Sequence, residues 1–234
     1  MTNGYLIFSL GDSAVTIDLG NYISEMLNRK VLAMQQWLYE HTFDGLKDIL
    51  VGYSSVTILY DPVVIKKIYN PSHTVYNWVQ EKLQNAYEHS GEGVHRNGNI
   101  VRIPVCYAEE YGTDLASVAA QKQIPLSAVI DIHTARTYKV YMIGFLPGFS
   151  YMGEVDEQIA VPRKHQPVPV IAGSVGVAGS QTGIYPLNCP GGWQIIGRTP
   201  VKLFDSNALQ PVKLHAGDHV QFYSISREEF GSSN

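Results

Sequence analysis

The stretch Ala172-Gly-Ser-Val-Gly-Val-Ala-Gly-Ser-Gln-Thr-Gly-Ile184 places a glycine at every third or fourth position among small apolar residues. Such density lets a backbone approach a ligand closely and offers amide donors to an anion; it also suits a tight barrel corner. The texture around it is the same from Val140 to the C-terminus. Short apolar runs are broken by Gly and Pro, and long helical periodicity is absent. Many short strands with dense turn signals predict a closed barrel or sandwich. Val201–Phe204 and Val220–Tyr223 read as the clearest late strands, with Ala216-Gly217-Asp218 as a turn, and Gly231–Asn234 reads as a frayed tail.

Upstream the pattern changes. Tyr5–Phe8 is apolar and β-prone, and Val15, Ile17 and Leu19 alternate with Thr16 and Asp18 as a half-buried strand does. From Asn21 the period becomes helical through Ile23, Leu27, Val31, Met34 and Leu38. Ile49–Tyr53 and Val56–Tyr60 read as strands, the second ended by Asp61-Pro62. A second helical stripe runs through Val75, Trp78, Val79, Leu83 and Tyr87. This order predicts a sheet with two helices on one face. Ser90–Asn99 has three glycines and almost nothing apolar, which is linker chemistry. Ile100–Tyr107 then reads as a strand, with short helices near Asp114–Lys122 and Ser127–Thr134. The predicted organisation is α+β: a small α/β domain over residues 1–90, then a barrel domain over 99–234.

Composition bounds the function. Of 234 residues 45% are hydrophobic, ample for packed cores, and the net charge is −4 with acids and bases interspersed. No basic stripe marks a nucleic-acid binder. No apolar run approaches ~18 residues, and Met1–Leu10 lacks a basic leader, so no membrane span or signal peptide is expected. Cys106 and Cys189 are far apart, which fits a reducing compartment; the expected location is the cytoplasm.

Standard catalytic signatures are missing. No GxxxxGK[ST] phosphate loop occurs. His215 and His219 are separated by Gly217-Asp218, which breaks the helix a zinc pair would use, so no metal site is expected. Ser174 misses the GxSxG elbow because Ala172 stands where the first glycine belongs. Cys189, between Asn188 and Pro190, has no base placed beside it by the sequence. What stands out lies between His133 and Asp205. Ile143-Gly-Phe-Leu-Pro-Gly-Phe-Ser-Tyr-Met152 sets Phe145, Phe149 and Tyr151 around Pro147-Gly148. These rings suit core packing or an exposed rim for a ligand or partner. Pro190-Gly-Gly-Trp193 is followed by Gly197-Arg198-Thr199-Pro200, and a Trp with a nearby Arg can stack on or pair with a planar carboxylate or amide.

The motifs GFLPGFSYM, PRKHQPVPVIAGSVGVAGSQTGIYP and CPGGWQIIGRTPVKLFD resemble, in order and spacing, those of the family of 5-oxoprolinase B subunits. That family is also known as allophanate hydrolase subunit 1 and includes the KipI kinase inhibitor. Gly11–Ala14, Gly52–Val56 and Tyr60-Asp61-Pro62 are similar to its N-terminal landmarks, so the likeness spans nearly the whole chain. It implies a cyclophilin-like β-barrel as the second domain, and a complex with a C subunit and an A subunit. The implied reaction is ATP- and Mg-dependent hydrolysis of 5-oxo-L-proline to L-glutamate, with this chain inactive alone and its catalytic residues unassigned. It implies a substrate or subunit surface made from Phe145, Pro147, Gly148, Phe149, Arg163, Gln181, Tyr185, Trp193 and Arg198. Where relatives commonly carry a second Pro-Arg after Pro162-Arg163, this chain has Pro167-Val168-Pro169, leaving Arg163 and Arg198 to hold an anion. Two other roles share the module: a KipI-like inhibitor docking on a histidine kinase, and a component of a urea carboxylase or allophanate hydrolase complex.

Overall fold

The computed structural model describes residues 4–20, 22–91 and 100–232. The chain divides into two compact units, Met1–Arg96 and Asn97–Asn234. Most of the predicted linker, residues 92–99, lies outside the described residues.

In the first unit, β1 (Leu6–Ser9), β2 (Ala14–Asp18), β3 (Leu46–Val51) and β4 (Ser55–Tyr60) form an antiparallel sheet in the order β1-β2-β4-β3. Helices α1 (Glu25–Glu40) and α3 (Val75–His89) bury Val31, Met34, Leu38, Val79 and Leu83 with Val15, Ile17, Val56 and Ile58 of the sheet. The alternation in β2 and the helical stripes predicted this layer. Asp61-Pro62 does more than end a strand. The Asp61 carboxylate accepts from the backbone N–H groups of Val63 and Val64, both at 3.1 Å, and Pro62 opens helix α2 (Pro62–Tyr69). A capping aspartate followed by proline at the first helical position starts a helix as readily as a turn.

The second unit is mixed α and β around a nearly closed, barrel-like sheet. Its seven strands are β5 (Ile100–Val105), β6 (Thr137–Ile143), β7 (Ser150–Gly153), β9 (Ser174–Ala178), β10 (Gln181–Ile184), β12 (Gln194–Arg198) and β13 (His219–Ser224). Their order is β12-β9-β10-β7-β6-β13-β5, with β13 and β5 parallel. The two edges meet just beyond β5, where Cys106 and Arg198 exchange backbone hydrogen bonds of 2.8 and 3.0 Å. Closing the sheet removes the exposed edges that would otherwise pair with other chains. A two-stranded ribbon, β8 (Val168–Val170) with β11 (Cys189–Gly191), lies outside the main sheet. Helices α4 (Leu115–Lys122) and α5 (Leu126–Ala135) contribute Leu115, Val118 and Val129 to the barrel's apolar cluster.

Two late readings change. Val201–Phe204 is not a strand; it keeps only a bridge between Phe204 and Val212, since prolines and turns surround it. Gly231 and Ser232 belong to a last helix, α6 (Arg227–Ser232), instead of fraying. The Ser226 hydroxyl accepts from Glu229 N–H at 3.2 Å and the Glu229 carboxylate accepts from Ser226 N–H at 2.7 Å, a reciprocal cap that starts it.

At the centre of the barrel sits a polar chain. His133 is fully buried, with Nδ1 2.8 Å from the Tyr107 hydroxyl and Nε2 3.0 Å from Thr182 Oγ1. Thr182 donates its proton to the Gly176 carbonyl at 3.0 Å, so it accepts from His133 Nε2–H. Nδ1 is then the acceptor for Tyr107 O–H. Burial holds the imidazole neutral by pushing its pKa down to about 3.

Candidate functional site

A cleft of about 600 Å³ opens on the second unit, in the range of ligand sites. Its floor is aromatic. Phe149, 1% exposed, makes edge-to-face contacts with Tyr185 and Trp193 at ring-centroid distances of 5.1 and 5.4 Å and lies 4.7 Å from Tyr151. Edge-to-face pairing sets the positive ring edge against a negative ring face, and it fixes ring orientation as well as filling space. The glycines of the quoted stretch make this floor possible. A Cβ on Gly183 of β10 would lie 2.7 Å from the Ser150 carbonyl and 3.0 Å from Trp193. The backbone therefore passes under the indole with no room for a side chain.

Phe145 forms the rim. It is 64% exposed, stands at φ +68°, and touches Phe149 edge-on at 5.7 Å. A bulky residue in the left-handed region costs of order 1 kcal/mol, which the fold sustains at few positions other than functional ones. Pro147 is exposed beside it but outside the cleft lining. Gly148, at φ +82°, is buried against Leu203 and Phe204 and shapes the turn from outside the cleft lining.

The polar equipment is sparse. Gln181 and Ser180 line one side, and Arg163 is the only charged side chain among the described residues of the lining. Tyr185 is buried with its phenol oxygen bonded by the Trp193 backbone N–H; burial pushes its pKa up to about 12. Desolvation also raises Tyr151, against the opposing pull of the Arg163 charge. Both phenols are therefore neutral groups at pH 7. Cys189 packs at the edge of the aromatic cluster, and burial raises its thiol above the ordinary value, away from a reactive thiolate.

Arg163 is exposed but its backbone is pinned on both sides. The Pro162 carbonyl accepts from Gln194 Nε2 at 3.1 Å, and Lys164 N–H donates to the Gly192 carbonyl at 2.7 Å. Lys164 Nζ forms an ion pair with Asp114 at 2.6 Å, and Asp114 Oδ2 also accepts from Ile195 N–H at 2.6 Å. Sequence reasoning missed Asp114, which stands where an N-cap for α4 would stand. Its carboxylate makes no cap bond to its own helix. It is used instead to hold the 162–164 segment against β12, a partnership that no sequence spacing announces.

The sequence also grouped Arg198 with Trp193, and the structure separates them. Five residues along an extended strand span about 16 Å. Arg198 lies outside the cleft at the barrel seam, its Nε donating to the Ala172 carbonyl at 2.9 Å and its guanidinium 5.7 Å from the Phe230 ring of α6. Arg198→Ala is thus expected to lower barrel stability by about 1–2 kcal/mol, from one hydrogen bond and one cation–π contact. Thermal melting measures that loss; ligand affinity at the cleft is expected to stay at the wild-type value.

Among the described residues no three His, Cys, Asp or Glu side chains converge as a metal-binding group, and no helix is long and apolar enough to cross a membrane. His215 instead pairs with Asp218 at 3.8 Å.

Residues 5–214 match the family model for the carboxyltransferase domain, subdomain C and D. The chain is 43% identical to the 5-oxoprolinase B subunit of Bacillus subtilis over 236 residues, covering 98% of this chain and 97% of that one. It is 34% identical to the 5-oxoprolinase B subunit of Escherichia coli O157:H7, covering 92% and 94%. The crystal structure of TTHA0988 superposes with a TM-score of 0.77 at 33% identity, covering 91% of this chain and 40% of that one, so the chain spans about two fifths of that longer protein. The cleft, the barrel and these likenesses agree over nearly the full length: this chain belongs to the carboxyltransferase domain, subdomain C and D, family, among its 5-oxoprolinase B subunits.

Proposed function

We propose that this chain is the B subunit of an ATP-dependent 5-oxoprolinase, working with a C subunit and an A subunit to hydrolyse 5-oxo-L-proline to L-glutamate. The observation that carries this is the identity of 43% to a 5-oxoprolinase B subunit with both chains covered almost end to end. Two chains so alike in length and sequence share a fold and, with it, the surfaces that meet common partners.

The cleft chemistry supports a divided task. Opening the lactam breaks its C–N bond; water supplies the new carboxylate oxygen, and the nitrogen leaves with a proton. An amide carbonyl is a weak electrophile, so ATP provides the driving force, and that step needs a magnesium site and phosphate donors. The cleft does not fit Mg–ATP: among the described residues its lining has one cation and no carboxylate to carry the metal. Its groups bind and orient. ATP and magnesium are accordingly assigned to the partner subunits, and the chain alone is expected to be inactive. The proposed location is the cytoplasm, a reading supported by two free cysteines.

The test is reconstitution. Glutamate release and ATP hydrolysis are measured with the three subunits added singly, in pairs and together. The expected result is turnover with all three and none with this chain alone. Robust turnover by this chain alone overturns the divided task. A complete set without turnover overturns the 5-oxoprolinase reading and reopens the kinase-inhibitor and urea-carboxylase alternatives.

A further inference from the structure

We propose that the cleft is the binding site for a small flat ring or cyclic amide carrying one carboxylate, with Arg163 as the carboxylate anchor and the aromatic floor as the ring's bed. This rests on the reading above only in its choice of 5-oxo-L-proline as the probe.

Charge comes first. Arg163 is the one charged side chain of the described lining, and its cation stands over an acid-free surface. Arg163 is exposed at the cleft wall, where its guanidinium is the one charge of the described lining that an anion seated in the cleft can meet. A guanidinium offers two parallel N–H groups to a carboxylate, a pairing stronger than neutral hydrogen bonds. A single cation matches a single negative charge, whereas a phosphate dianion calls for more. Lys164 does not add a second, because Asp114 holds it at 2.6 Å.

Preorganisation comes next. Gln194, Gly192 and Asp114 tie down the residues on both sides of Arg163. Its guanidinium nitrogens lie 3.5 and 3.6 Å from where a Cβ on Gly192 would stand, so the side chain folds over the cleft wall. A pinned backbone leaves less entropy to lose when the ligand arrives. Tyr151, Gln181 and Ser180 add neutral polar groups around the same space, fitted to amide N–H and C=O groups. The volume exceeds one five-membered ring several-fold, which leaves the mouth to be closed by another protein of the complex.

The test measures affinity by calorimetry for the wild-type chain, alone and assembled with its partners without ATP. The probes are 5-oxo-L-proline, its neutral carboxamide, pyrrolidin-2-one and inorganic phosphate. The wild type is expected to bind 5-oxo-L-proline at least 10-fold more tightly than the carboxamide. Arg163→Gln should erase that preference, Arg163→Lys should restore part of it, and Arg198→Ala should leave it unchanged. Arg163 is exposed, so these variants are expected to fold, and melting curves verify it. Absence of 5-oxo-L-proline binding in both settings overturns the proposal, as does an intact preference in Arg163→Gln or tighter binding of phosphate. The two readings fail separately. If the wild-type assembly turns over and Arg163→Gln keeps its KM and kcat, the cleft proposal falls and the 5-oxoprolinase reading stands. If the assembly is inactive but Arg163-dependent binding is seen, the reverse holds.

Discussion

Phe149→Ala is expected to destabilise the barrel unit by about 3–5 kcal/mol, the usual cost of deleting a fully buried aromatic ring and leaving a cavity. The ring is 1% exposed and supports Tyr151, Tyr185 and Trp193 together, so its removal withdraws dispersion contacts from all three. Urea unfolding followed by amide exchange in the barrel reads the loss directly. The partner experiment is Phe145→Ala. That ring is 64% exposed at the cleft rim, so its truncation should cost under about 1 kcal/mol of stability. Co-purification with the proposed C-subunit partner should instead weaken by 10-fold or more, as for an aromatic anchor at an interface. The contrast decides which ring is floor and which is rim. A Phe149→Ala protein as stable as wild type would refute the packing assignment, and unchanged association in Phe145→Ala would remove the rim from the interface.

The second large effect is an acid-side loss of barrel stability caused by His133. Its folded pKa is about 3, against an ordinary 6.5. Between those values the unfolded chain binds a proton that the native barrel refuses. The stability contributed by a neutral His133 is therefore complete above pH 6.5 and is lost as pH falls toward 3. The slope is up to about 1.4 kcal/mol per pH unit, roughly 5 kcal/mol over the whole window. The carboxylates held below their ordinary range, among them Asp61 and Asp156, shed their stabilisation only below about pH 4. Between pH 6.5 and 4.5 those carboxylates therefore contribute little, and the difference between wild type and a His133 variant separates His133 from the chain's seven other histidines. His133→Gln, which can still donate and accept, should flatten the pH dependence of the urea midpoint there even though its absolute stability is lower. An unchanged slope in that variant would show that another group titrates.

Much of this protein is legible without coordinates, and the legible parts share a cause. Alternation in Val15–Leu19 and the stripes of α1 and α3 are one-face burial written at a local period, so the first sheet and its helices follow from neighbours in sequence. The Gly- and Pro-broken texture after Val140 likewise encodes many short strands. Asp61-Pro62 and Ser226-Arg-Glu-Glu229 carried helix starts in plain view. The first reads as a turn because the same residues serve both geometries, and the second was hidden in a short polar tail. The family motifs fall together in space, since Phe149, Arg163, Gln181, Tyr185 and Trp193 line one cleft.

The sequence by itself determined the strand-rich second half, the aromatic and glycine inventory of the cleft, and the family. Only the tertiary structure decided the rest. Phe145 and Phe149 are four residues apart and chemically identical, yet one is rim and the other floor, because the turn at Gly148 and the pairing of β7 with β10 choose which ring enters the core. Arg163 and Arg198 are both arginines in family motifs. β12 carries Arg198 to the seam with Cys106, while three contacts from distant segments hold Arg163 over the cleft. Asp114 reaches Lys164 across fifty positions of chain for the same reason. Such pairings depend on strand register and barrel closure, which are long-range properties that no local period encodes.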